Sequence, residues 1–69
     1  MNATEFDARI DAINAQYPEL TFDQRVQAEE NSDGIEDHNE WLAMYAASLE
    51  GIQMEVDKEK RYAKNHTNK

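Results

Sequence analysis

The 69-residue chain contains no cysteine, one proline and two glycines. Without cysteine there is no disulfide staple, no thiolate metal site and no thiol nucleophile. Ser32 falls at a helix start and reads as a turn or cap residue; Ser48 falls among alanines in mid-helix and reads as a small packing residue. A glycine-rich phosphate loop and a paired-histidine metal motif are both missing, so the chain reads as a non-enzyme with no cofactor. Apolar length is short too. The longest nearly apolar run, Trp41 to Leu49, cannot cross a bilayer, and Met1-Asn2-Ala3-Thr4-Glu5 lacks the basic and apolar blocks of a signal peptide. These absences lead us to expect a soluble, cytoplasmic protein that does not engage membranes.

Leu, Ile, Val and Phe total eleven residues, which with a net charge of −8 places the chain near the compositional border with disorder. At this size one core supplies only about 3–5 kcal/mol. A homodimer or a bound partner is therefore expected to add to the buried surface.

The hydrophobic spacing predicts an all-α fold of three helices, at about 4–16, 22–31 and 35–64, forming one domain over 1–64 with a frayed polar tail at 65–69. Phe6, Ile10, Ile13 and Tyr17 make a single apolar stripe, with Asp7, Asp11 and Asn14 falling off it. Asn2 or Thr4 caps the start, and Pro18 closes the end. Thr21-Phe22-Asp23-Gln24 matches a capping box and opens a second helix, thin in apolar content at Phe22, Val26 and Ala28. Ser32-Asp33-Gly34 breaks the chain, and Asp33 with Glu36 restarts the helical signal.

The third helix carries a core or dimer seam at Leu42, Tyr45, Leu49, Ile52 and Val56, spaced three, four, three and four. Two short helices cannot cover all of it. The face left over, with Trp41 and Met44 on one side and Ala43, Ala47 and Met54 on another, meets a second copy or stays open for binding, and a helical homodimer is the favoured reading. His38, one turn before Leu42, is expected to close the end of the seam.

Charge divides the chain unevenly. Residues 1–57 hold fourteen acids against Arg9 and Arg25, whereas residues 58–69 hold five bases against Glu59. The basic tail matches the preference of a helix C-terminus for cations, and so few cations beside an acidic body would hold nucleic acid weakly, so no direct nucleic-acid binding is expected. Glu29, Glu30, Asp33, Glu36, Asp37 and Glu40 form the densest acidic segment, with no base among them. Asp33, Glu36, Asp37 and Glu40 would share one helical face at intervals of roughly 5–6 Å, spaced to imitate backbone phosphates in a cationic groove.

The candidate partner-binding residues are thus Glu29, Glu30, Asp33, Glu36, Asp37 and Glu40, with Trp41 as the aromatic anchor beside them. In size and charge the chain resembles the small acidic helical proteins with which phages and mobile elements block host or defence enzymes, some of them DNA mimics. That resemblance brings no residue with it; it implies an inhibitor or adaptor whose partner presents a basic surface, such as a nucleic-acid-handling enzyme. The alternative reading is a degenerate EF-hand-like calcium loop. Aligning Gly34 with the loop glycine puts Glu29, Asn31, Asp33 and Glu40 at positions one, three, five and twelve. Glu29 is longer than the Asp expected at position one, and Glu36 replaces the apolar residue at position eight.

Overall fold

The structure, a computed structural model, describes the backbone of residues 1–67 and the side chains of residues 1–63. It consists of α1 (Ala3–Ala15), α2 (Phe22–Asn31) and α3 (His38–Thr67), with no strand among the described residues. The chain is an all-α small domain.

Each helix starts where a side chain satisfies amides that the first turn leaves without partners. Asn2 Oδ1 accepts from the Glu5 amide at 2.8 Å. At α2 both halves of the capping box form: Thr21 Oγ1 accepts from the Gln24 amide at 3.2 Å and Gln24 Oε1 from the Thr21 amide at 2.8 Å. The start of α3 differs from the expected residue 35. Asp37 is the cap, its Oδ1 accepting from the Asn39 amide and its carbonyl from the Trp41 amide, both at 2.8 Å. Asp33 cannot cap, because Gly34 turns the chain with φ of +88° while the Ile35 amide donates to the Ser32 carbonyl at 3.3 Å. Positive φ at the third residue of such a turn is the place a type II turn reserves for glycine. At its far end α3 continues to Thr67, through residues expected to fray; residues 68–69 of that expected tail lie outside the described residues.

Both short helices pack on α3, α2 more extensively than α1. Contacts to α1 climb α3 in step with the sequence. Phe6 lies against His38 and Trp41, Asn14 reaches Tyr45, and Glu19, just past α1, pairs with Lys60. α1 therefore runs in the direction of α3, while the 32–37 connection folds α2 back antiparallel to it. The principal extents are 53 × 21 × 16 Å and the radius of gyration is 14.5 Å, against about 11 Å for a compact chain of this length. α3 is the spine of an elongated molecule.

The core consists of Leu20, Ala28, Tyr45 and Leu49, with Ile10, Ile13, Tyr17, Trp41, Ile52 and Val56 partly buried against it. Leu42 is buried as well. The seam thus serves the intrachain core: Leu42, Tyr45 and Leu49 are buried, and Ile52 and Val56 are partly buried against the same cluster. Phe22 departs from expectation: at the first position of α2 it is 77 % exposed, and Leu20, in the connection before it, enters the core instead. Ser32 is fully buried, its hydroxyl donating to the Ala28 carbonyl at 3.1 Å and so removing one of the orphan acceptors at the end of α2.

Candidate functional site

The acidic segment gathers at one end of the molecule, where α2 ends and α3 begins. Glu29 and Glu30 occupy the last turn of α2, Asp33 and Glu36 the connection, Asp37 the cap of α3 and Glu40 its first turn. All six are exposed. The expected single helical row over Asp33, Glu36, Asp37 and Glu40 does not form, because α3 begins only at His38 and the Gly34 turn intervenes. The carboxylates sit instead on a bent path from one helix end to the next.

The two helix ends treat these charges oppositely. Asp37 and Glu40 lie at the amide end of α3, where the helix dipole favours negative charge. Glu29 and Glu30 lie at the carbonyl end of α2, where it disfavours them, and the last turn of α2 contains no base. None of the six takes part in an ion pair among the described residues. The fold therefore accounts for Asp37 and Glu40 but not for Glu29 and Glu30.

Trp41 is half-buried, sandwiched between Phe6 and Tyr45. Its ring is stacked on Tyr45 at 5.1 Å with an interplanar angle of 13° and meets Phe6 at 5.1 Å and 58°. That makes it a partly buried anchor packed against the core, next in sequence to Glu40. His38 is exposed and places its ring 4.8 Å from Phe6, so it adds to this row of rings and does not close the buried seam.

Beneath the acidic end lies the junction of all three helices. The Tyr45 hydroxyl donates to Asn14 Oδ1 at 2.6 Å, so Asn14, off the apolar stripe by spacing, is the polar tether of α1. Burial raises the Tyr45 hydroxyl above its ordinary value, and the nearby Glu29 carboxylate raises it further, against the hydrogen bond with Asn14 and the Arg25 charge, which lower it. Arg25 Nη2 donates to the Tyr17 carbonyl at 3.3 Å, while its Nε is buried without a hydrogen-bond partner.

Compared with known proteins, the chain matches no family model, no curated protein and no solved structure.

Of the calcium ligand set, Glu29 and Asn31 are helical residues of α2 and Glu40 belongs to α3, leaving Asp33 in the connection. An open twelve-residue loop is not formed, and no group of three or more His, Asp or Glu side chains able to hold a metal gathers among the described residues. No described helix is long and apolar enough to cross a membrane. Sequence reasoning missed the unfavourable placement of Glu29 and Glu30. The end of α2 at Asn31 was readable, and the dipole at that end would have revealed it.

Proposed function

We propose that this chain is a cytoplasmic protein-interaction module of the inhibitor or adaptor class, which self-associates through α3 and engages a basic protein surface with the acidic end built by α2 and the start of α3. The observation that carries the reading is the position of Glu29 and Glu30. Carboxylates at the carbonyl end of a helix whose last turn contains no base are disfavoured by the helix dipole. A small domain with little stability to spare gains nothing structural from them. Together with Asp33 and Glu36 they concentrate negative potential that steers a cationic partner to that end.

Basic grooves that bind nucleic acid are surfaces of this kind, and a nucleic-acid-handling enzyme is the partner class we favour. The test is affinity capture at physiological salt with the parent chain beside a Glu30→Lys, Asp33→Lys, Glu36→Lys variant, which spares the Asp37 cap. A nucleic-acid-handling protein held by the parent, displaced by added DNA and lost by the variant supports the reading. Equal retention by parent and variant would overturn it.

A further inference from the structure

A second line of residues runs along α3 on the side away from Tyr45, Leu49 and Val56, again at alternating spacings of three and four. It begins with Asp37 at the cap and Glu40, and it ends with Lys58 and Arg61. Between these pairs lie Met44, Ala47, Gly51 and Met54. Every one is exposed, with Met44 at 44 % and Met54 at 65 %. Such spacing is the heptad pattern by which one helix meets another, and none of these residues belongs to the intrachain core.

The order of side chains along this line has a two-fold character. Read from either end it runs charged, charged, methionine, small, and the two ends carry opposite charge. If a second copy lies antiparallel with Ala47 opposite Gly51, then Met44 meets Met54, Glu40 meets Lys58 and Asp37 meets Arg61, each contact made twice. A parallel pair in register would instead set carboxylate on carboxylate and cation on cation. Among the described residues neither Lys58 nor Arg61 has an ion-pair partner within the chain.

Gly51 supplies an independent argument. A Cβ added there meets nothing within 4 Å, so nothing inside the chain calls for glycine in the middle of the longest helix, where glycine weakens helical structure. A helix crossing at Ala47 and Gly51 does call for it, since small side chains there allow the two backbones to approach closely.

We infer that α3 pairs with α3 of a second copy, antiparallel and in the register that sets Ala47 against Gly51. The inference rests on the self-association proposed above and gives it an orientation. Asp37 and Glu40 are then used in the dimer, while Glu29, Glu30, Asp33 and Glu36 remain for the basic partner. One feature of the pairing is unfavourable: Glu50, beside the seam, approaches its own copy across the two-fold axis. Glu50→Gln is accordingly expected to tighten the dimer.

Because the chain has no cysteine, Met44→Cys and Met54→Cys each introduce a single thiol. Sedimentation equilibrium should give twice the 8.0 kDa chain mass. Mild oxidation of the mixed variants should yield the 44-to-54 disulfide in preference to 44-to-44 or 54-to-54. A monomeric mass for the parent would overturn self-association altogether. A dimeric mass with 44-to-44 and 54-to-54 products would overturn only the antiparallel register. As a second check, Glu40→Lys alone should lose dimer mass and adding Lys58→Glu should restore it; a charge swap that fails to restore the dimer, with helicity intact by circular dichroism, also counts against the register.

Discussion

The Tyr45 hydroxyl and Asn14 Oδ1, 2.6 Å apart, join α3 to α1 across 31 residues of sequence, and the tyrosine ring above that bond stacks on Trp41. Removing the hydroxyl by Tyr45→Phe leaves a half-buried amide oxygen that water can partly reach, and should destabilise the chain by about 1 kcal/mol in urea unfolding. Asn14→Ala should cost about as much, and the double variant less than the sum, since both remove one bond.

The same tyrosine sets an alkaline limit. Tyr45 and Lys60 both titrate above their ordinary values in the folded chain, the first through burial and the second through its hydrogen bond to Glu19. A folded state that holds a proton more tightly than the unfolded state is stabilised in full below the unfolded pKa, about 10 for both groups, and loses that contribution as pH rises through the folded values. Unfolding midpoints should therefore hold steady up to about pH 9 and fall above pH 10. Tyr45→Phe should flatten most of that fall, because the Lys60 pair is exposed and screened.

Glu30 should be a residue whose loss helps folding and harms binding. Glu30→Gln removes a negative charge from the carbonyl end of α2 and should raise stability by about 0.3–1 kcal/mol at low ionic strength, with a smaller gain at high salt. Thermal unfolding at two salt concentrations checks it. A loss of stability would mean that Glu30 makes a compensating contact.

Gly34 permits the turn that delays α3 to His38. Gly34→Ala meets no neighbour within 4 Å, so its effect is purely backbone strain at φ of +88°, about 1–2 kcal/mol destabilising. Denaturant unfolding should show a shifted midpoint with unchanged slope.

Leu49 is fully buried at the centre of the core. Leu49→Ala should cost about 2–5 kcal/mol, comparable to everything a core of this size supplies. Circular dichroism should show a largely unfolded chain at room temperature.

The helices and the seam of α3 were legible in the sequence because caps and spacing are local. Asn2, Thr21 and the Leu42 to Val56 pattern each state their role within a few residues. What spacing along one helix could not show was which distant residue meets which. Asn14 lies off its own stripe yet finds Tyr45, and Leu20 lies in no helix yet displaces Phe22 from the core. The acidic segment was visible by composition, but its shape depended on Gly34 and on which aspartate caps α3. The sequence signal places the restart at Asp33, before the turn, whereas Asp37, beyond it, is the cap.

α1 is held to α3 by the Phe6 ring contacts, the Asn14 tether and the Glu19 pair just beyond it, with Ile10 and Ile13 partly buried against the core. The antiparallel α2 and α3 form a hairpin of neighbours in sequence, whereas α1 must return from farther along the chain. Its release would leave that hairpin standing and uncover the rings of Trp41 and Tyr45, so the opening free energy of the molecule is divided, lowest along the first helix and highest along the seam of the third.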